Sequence, residues 1–339
     1  MENKRSFLLE CLTQVFIKPR GILKMSQVWL PLGLILAAGV PMDPGVLLKK
    51  ALLLLVAVLS KGLASILVND LTDRDIDRRA GKERWITSIP LPAGTAIPVF
   101  LLVLGFLALL EAGGDLLVFA SFAATILLGM LYSVKPVRFK ERGIRGIFAY
   151  SLSAGILHAV VPWALFRPGF LLLPLLFFVV TADKLVQILF HQIADFESDR
   201  AEEVESFVVA AGREKGGRAL RLVLKIAVIM DAVMFFTILF IIKENTFFLW
   251  LLGAAGLLGI TASGLFVSTV SKKLGASTAL TERLPWTYSG LSYVLFYVFP
   301  PLLFLMLSLH EPVVWVLAGL SALSFIGVSF NFFFYDPKK

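Results

Sequence analysis

The stretch ALLLLVAVLSKGLASILV, residues 51–68, has almost no polar side, and it is close to the roughly 20 residues of helix that a bilayer core takes. Runs like it recur along the chain, centred near 24–42, 47–69, 96–112, 115–133, 146–166, 169–193, 219–243, 246–270, 288–309 and 312–334. Only EAGGD parts the third from the fourth, so nine or ten helices are expected. With 58% hydrophobic residues, 29 Phe and 17% charged residues, the chain carries more apolar surface than a soluble domain of its 339 residues could enclose. The expected fold class is all-α, a multi-pass transmembrane helical bundle in contact with membrane lipid.

A net charge of +8 could point to nucleic acid, but the placement of the cations argues for topology instead. If the helices alternate in direction, most of the 32 Lys and Arg fall on one side of the membrane, together with both termini. Lys49, Lys50, Arg167 and Lys243 are left for the opposite loops, with Lys61 and Lys184 inside helices. Positive charge stays cytoplasmic, so that side should face the cytosol across the inner cell membrane, and no nucleic-acid partner is expected. Residues 1–20 read as an interfacial amphipathic segment rather than a cleavable signal. The lone Cys11 offers neither an internal disulfide nor a thiolate cluster. No hydrophilic stretch is long enough for a separate soluble domain, so residues 1–339 read as a single domain.

LTDRDIDR (71–78) laid over IADFESDR (193–200) matches an apolar first residue, Asp at the third and seventh positions, an acid at the fifth and Arg at the eighth. The copies are four helices apart and each follows an even-numbered helix. Two pseudo-repeated halves facing a central cavity would produce this pattern.

On a continuous helix, at about 100° per residue, Asp70, Asp73 and Asp77 share an arc of about 60° with Asn69 beside it, while Asp75 lies about 140° from Asp70. In the second copy Asp195 and Asp199 are about 40° apart, with His191 near the first and Gln192 near the second. Stacked carboxylates repel unless something positive sits between them. All-oxygen ligand sets select hard cations, and magnesium takes one or two carboxylates and completes its shell with water and phosphate oxygens. The implied ligand is a magnesium-bound phosphate or diphosphate. One such cluster would be ordinary solvated charge at a helix end; two matched clusters weaken that reading. The loop YSVKPVRFKERG, residues 132–143, places Lys135, Arg138, Lys140 and Arg142 on the same side. Cations offering several donors suit phosphate oxygens and would stabilise a departing diphosphate, although positive-inside anchoring alone also produces such runs.

NDxxDxxxD after the second helix, YSxKPxRxKxRG after the fourth and DxxxD after the sixth, in that order and on one face, resemble the UbiA superfamily of intramembrane prenyltransferases. PLPAG at 90–94 is similar to the Pro-Leu-Pro-Ser-Gly of many members. The resemblance implies Mg2+-dependent transfer of a prenyl group from a polyprenyl diphosphate to a lipid-soluble acceptor, with the isoprenoid tail in an apolar cavity. It assigns Asn69, Asp70, Asp73 and Asp77 to the first motif, Asp195 and Asp199 to the second, and Tyr132, Lys135, Arg138 and Lys140 to the diphosphate-binding linker. Where many members carry an arginine before Pro-Leu-Pro this chain has Ile89, which leaves Arg78, Lys82 and Arg84 as eligible cations.

The same charged end would serve a UbiA-type terpene cyclase or a phosphoribosyl transferase acting on a polyprenyl phosphate. A reading from a different class is a secondary transporter, but acids gathered at helix ends rather than at mid-membrane breaks favour phosphate chemistry. Lys184 precedes Asp195 by three turns and projects on the same face about 16 Å deeper, where a charge faces a cavity or a partner. It joins His191 and Gln192 as a candidate pocket residue, His191 as a hydrogen-bonding group rather than a metal ligand. Lys61 lies about 180° around its helix from Asp70, which predicts a packing role. His158 and His310 have no motif neighbours, and zinc would need more nitrogen and sulfur donors than these. The acceptor and the oligomeric state do not follow from the sequence.

Overall fold

A computed structural model describes residues 28–37, 42–79, 86, 89–169, 172–241, 246–273 and 294–334. Among them there is no strand, only an isolated bridge between Gly143 and Ser206. A segment in hydrocarbon must satisfy its own backbone groups, and the helix does this locally. In chain order the helices are α1 (Trp29–Ala37), α2 (Pro44–Thr72), α3 (Arg74–Arg79), α4 (Leu91–Glu111), α5 (Leu116–Ser133) and α6 (Ile144–Gly155). A π-helical turn at Ile156–Val160 carries α6 into α7 (Val161–Phe166). Then come α8 (Leu172–Ala194), α9 (Phe196–Ala201), α10 (Phe207–Ala211), α11 (Arg213–Ile241) and α12 (Thr246–Lys273), followed by α13 (Phe299–Ser308) and α14 (Trp315–Phe334).

Among the described residues six stretches are long and apolar enough to cross a membrane: Pro44–Thr72, Leu91–Glu111, Leu116–Ser133, Ile144–Phe166, Leu172–Ala194 and Arg213–Ile241. The apolar helices at Phe247–Ala262, Val294–Ser308 and Pro312–Ile326 are shorter. Residues 1–20 lie outside the described part of the chain.

The start of two long helices is written in the sequence as Asp before an apolar run. Asp43 accepts from the backbone N–H groups of Gly45 and Val46 at 2.9 and 3.1 Å, and Pro44 occupies the first helical turn, where its missing N–H costs nothing. Asp115 does the same for Leu117 and Val118, at 3.0 and 3.2 Å. Each cap satisfies donors that the helix cannot. Large apolar side chains remain exposed at helical spacing, Val99, Val103 and Leu107 on α4 and Leu222, Ile226, Ile229, Val233, Phe236 and Phe240 on α11. Such stripes are costly in water and suit contact with lipid tails.

Three apolar clusters hold the bundle. One joins α1, α2, α4, α5 and α7 around Leu54, Leu109 and Phe122. A second joins α8, α11, α12 and α13 around Val180, Phe235 and Phe299. The third, around Val186, Phe190, Val208 and Leu220, lies where α8 and α11 meet α10 and supports the charged end described below. Where α6 packs on α8, a Cβ on Gly155 would stand 2.2 Å from Thr181 Oγ1, so the helices meet there only because position 155 has no side chain. Gly155→Val should therefore destabilise the bundle by about 1–3 kcal/mol through overpacking. Reversible unfolding in mixed micelles would show it, and unchanged stability would contradict the close contact.

Candidate active site

The first acid motif begins in the last turn of α2, where Asn69 and Asp70 sit, and continues past a break. The sequence treats 69–77 as one helix; the chain instead bends at Asp73, with φ −95° and ψ 3°, before α3 begins. Aspartate tolerates this bridge-region geometry and is a weak helix former. Nothing is lost in hydrogen bonding, because Asp73 N–H still donates to Asn69 O at 2.9 Å and Asp73 O still accepts from Asp77 N–H at 2.8 Å. The second motif bends the same way at Asp195, with φ −87° and ψ 3° between α8 and α9. Asp195 N–H donates to His191 O at 2.8 Å and Asp199 N–H to Asp195 O at 2.7 Å. Residues paired in the two sequence copies thus share one local conformation. Asp75 is exposed, as the helical arc requires, and Asp77 is buried.

The basic loop folds back over the end of α2. Arg138 adopts a left-handed conformation (φ 39°) ahead of a 3₁₀ turn at Phe139–Glu141, which for a non-glycine residue costs about 1–3 kcal/mol. Its side chain offsets that cost. Although the residue is only 4% exposed, its guanidinium donates to Thr72 O at 3.2 Å and to Asp73 Oδ1 at 2.9 Å, with Glu141 Oε1 2.6 Å from Nε. The ammonium of Lys140 clasps both carboxylate oxygens of Asp73 and donates to Asn69 Oδ1 at 3.1 Å. Ser133 donates to that same oxygen at 3.4 Å. Burial pulls the Lys140 pKa below the ordinary lysine value, and the Asp73 carboxylate opposes that shift. The loop approaches this closely because Gly146, at the start of α6, has no Cβ, which would lie 2.5 Å from Phe139 O and 3.0 Å from Lys140 Cα.

Two contacts, and a tyrosine in the field of both, bring the two motifs to one end of the bundle. Tyr132, in the last turn of α5, lies within the electrostatic field of Asp73, Asp195 and Asp199, with its ring centroid 5.8 Å from that of Tyr150. Arg79 of α3 pairs with Glu202, just after α9, at 3.6 Å. The bridge between Gly143 and Ser206 ties the basic loop to the segment beyond the second motif.

Other sequence candidates fall in different places. Arg78 and Lys135 are exposed, and Arg142 donates to Pro136 O at 2.7 Å, closing its own loop. Lys82 and Arg84 lie outside the described residues. Gln192 accepts from Val208 N–H at 3.4 Å, which ties its amide to the first turn of α10. His191 is half-buried at the end of α8. Lys184 is buried well inside the bundle and donates to Gln187 Oε1 at 2.8 Å. Sequence reading missed Arg79, Glu141 and Glu202, whose partners come from the fold and not from motif spacing.

Chemically, the end offers carboxylates from two helix tips and at least two fixed cations. Among the described residues no three His, Cys, Asp or Glu side chains gather as a ready-made metal cage. Carboxylates drawn from two different helix tips would suit magnesium, which is held by one or two carboxylates and shares its remaining positions with substrate phosphate. The oxygen-only donor set fits a hard cation as well.

The family model described as the UbiA prenyltransferase family matches residues 28–280. No curated protein matches the chain. Among solved structures, a UbiA homolog from Archaeoglobus fulgidus bound to GPP and Mg2+ is 18% identical, with a TM-score of 0.56 over 94% of this chain and 99% of that one. The homolog bound to DMAPP and Mg2+ is 17% identical, with a TM-score of 0.52 over 91% and 98%. A digeranylgeranylglyceryl phosphate synthase is 19% identical, with a TM-score of 0.55 over 84% and 99%. At such identities the likeness is one of fold. The family match, which runs from α1 past the second acid motif, carries the assignment: the chain is an integral membrane protein of the UbiA prenyltransferase family.

Proposed function

We propose that this protein is a magnesium-dependent prenyltransferase that moves a polyprenyl group from its diphosphate to a lipid-soluble acceptor and releases diphosphate. The observation that carries the reading is the clasp of Asp73 by Lys140 and Arg138, with a tyrosine in the electrostatic field of both acid motifs. The A. fulgidus homolog, whose structures hold GPP or DMAPP with Mg2+, supports it.

Asp70, Asp73 and Asp77 on one side and Asp195 and Asp199 on the other are the candidate magnesium ligands, one or two of these carboxylates holding an ion whose remaining positions go to water and substrate phosphate; magnesium would supply positive charge against the leaving diphosphate. Arg138 and Lys140 bind diphosphate oxygens, with Lys140 exchanging the Asp73 carboxylate for phosphate. One charge-assisted contact replaces another, so the buried ammonium is not stranded. Tyr132 donates its phenolic proton toward the same diphosphate, and Asn69 orients Lys140. Arg78 and Lys135, both exposed, form an outer cationic rim, Lys82 and Arg84 are kept as cation candidates on the sequence alone, and His191 hydrogen-bonds at the second motif. The apolar interior keeps water from the allylic cation left as diphosphate departs. We further assign the charged end to the cytoplasmic face, because Lys and Arg concentrate there, and read the chain as one domain of two related halves. The matching bends at Asp73 and Asp195 support that relation.

Asp73→Ala and Asp195→Ala should each lower turnover of labelled geranylgeranyl diphosphate, supplied with a membrane lipid extract, by about 100-fold or more while leaving the helix content unchanged; full activity in either would remove that motif from the site. EDTA should stop the reaction and added magnesium restore it, and turnover indifferent to chelation would exclude the ion. Gly146→Ala should displace the loop and cost about 10- to 100-fold in turnover. An unaffected rate would mean that Lys140 acts from elsewhere.

A further inference from the structure

Arg138 is held by three oxygens on three different nitrogens. Nη1 donates to Thr72 O at 3.2 Å, Nη2 donates to Asp73 Oδ1 at 2.9 Å, and Nε lies 2.6 Å from Glu141 Oε1. The Arg138 side chain is 5% exposed and that of Glu141 30%. The Glu141 contact is one of charge and not of alignment, since Nε makes no hydrogen bond. Glu141 is also fixed by its own backbone: its N–H donates to Arg138 O at 3.0 Å and closes the 3₁₀ turn.

Of the two carboxylates that meet Arg138, Asp73 belongs to the first acid motif and Glu141 to neither motif. That difference matters once a ligand arrives, a point that rests on the proposed prenyl transfer. With Asp73 committed to magnesium, a buried guanidinium that had Asp73 as its only acid would be left with one backbone carbonyl, and stranding a buried charge is strongly unfavourable. A planar guanidinium has five N–H donors in a fixed fork, so it can keep two contacts while it changes the third. We propose that Glu141 is a positioning residue: it holds Arg138 at Nε, with Thr72 O at Nη1, while Nη2 passes from Asp73 to an oxygen of the substrate diphosphate.

The loop has fastenings that do not involve the Glu141 side chain. Lys140 clasps Asp73, Arg142 donates to Pro136 O at 2.7 Å, and the chain at Phe139 runs close over Gly146. Removing only the charge at position 141 leaves all three in place. It also leaves Arg138, among the described residues, with Asp73 as its one carboxylate, so that the arginine and magnesium compete for the same oxygens. The loss therefore shows as a higher magnesium requirement and not as a weaker fold.

The test is equilibrium binding of geranylgeranyl diphosphate to the protein in nanodiscs, corrected for empty nanodiscs, across a magnesium titration at fixed ionic strength. Glu141→Gln should raise the magnesium concentration for half-maximal binding by about tenfold, a modest effect for a buried pair because Glu141 is partly exposed. Glu141→Asp keeps the charge and should stay within about threefold of the wild type. In an Arg138→Lys background a single ammonium cannot hold acid and phosphate on separate nitrogens, so Glu141→Gln should add about threefold at most. The full effect in that background would mean that Glu141 acts without Arg138 and would overturn the proposal. A Glu141→Gln variant that melts lower yet keeps the wild-type magnesium requirement would make Glu141 structural and overturn it as well. Wild-type melting and magnesium dependence in that variant would also overturn it, and would leave the transfer reading standing. A wild type that binds no geranylgeranyl diphosphate at any magnesium concentration would overturn both.

Discussion

Everything at the charged end depends on helices that change direction without giving up a hydrogen bond. At Asp73 and at Asp195 the backbone leaves the regular helical conformation, yet the N–H to carbonyl ladder runs through the bend unbroken. In a bilayer this is the only inexpensive way to turn, because an unpaired peptide group near hydrocarbon has no water to fall back on. A carboxylate sits at each bend with its backbone already satisfied, which leaves the side chain available for electrostatic work. Asp73 uses its side chain to hold Lys140 and Arg138.

That clasp also explains why the basic loop is ordered. Left-handed backbone at Arg138 and close approach at Gly146 are both unfavourable unless something fixes the loop. Here the fixing force is charge pairing at low exposure, where attraction is screened far less than on an open surface. Exposed pairs elsewhere, such as Lys49 with Glu111, involve largely solvated partners and contribute little by comparison. The loop is thus held over the acid motifs before any ligand arrives, and preorganised charge is what a departing diphosphate requires.

Much of this was legible in the sequence, for identifiable reasons. Apolar runs at bilayer length specify helices with little ambiguity, and the Asp caps before α2 and α5 mark two of their starts. The order of the three motifs was enough for the resemblance that the family match bears out. What escaped was anything requiring a helical wheel to stop. Extrapolating one continuous helix through 69–77 concealed the bend at Asp73. The same wheel put Lys61 opposite Asp70 and implied a packing role, but it could not name Ser153 of α6 as the partner its buried ammonium meets. Gln192 shares an arc with the second motif but meets the backbone of α10, a partner 16 residues away that no periodicity reveals.

The central claim is that the two bent helix ends share one divalent ion with the substrate diphosphate. Pulsed electron-nuclear double resonance with Mn2+ substituted for magnesium reports it directly. On addition of geranylgeranyl diphosphate the account predicts a 31P hyperfine coupling to bound manganese that disappears when either Asp70 or Asp199 is replaced by asparagine. Manganese that binds with no phosphorus coupling, or a coupling that survives in both variants, would contradict it.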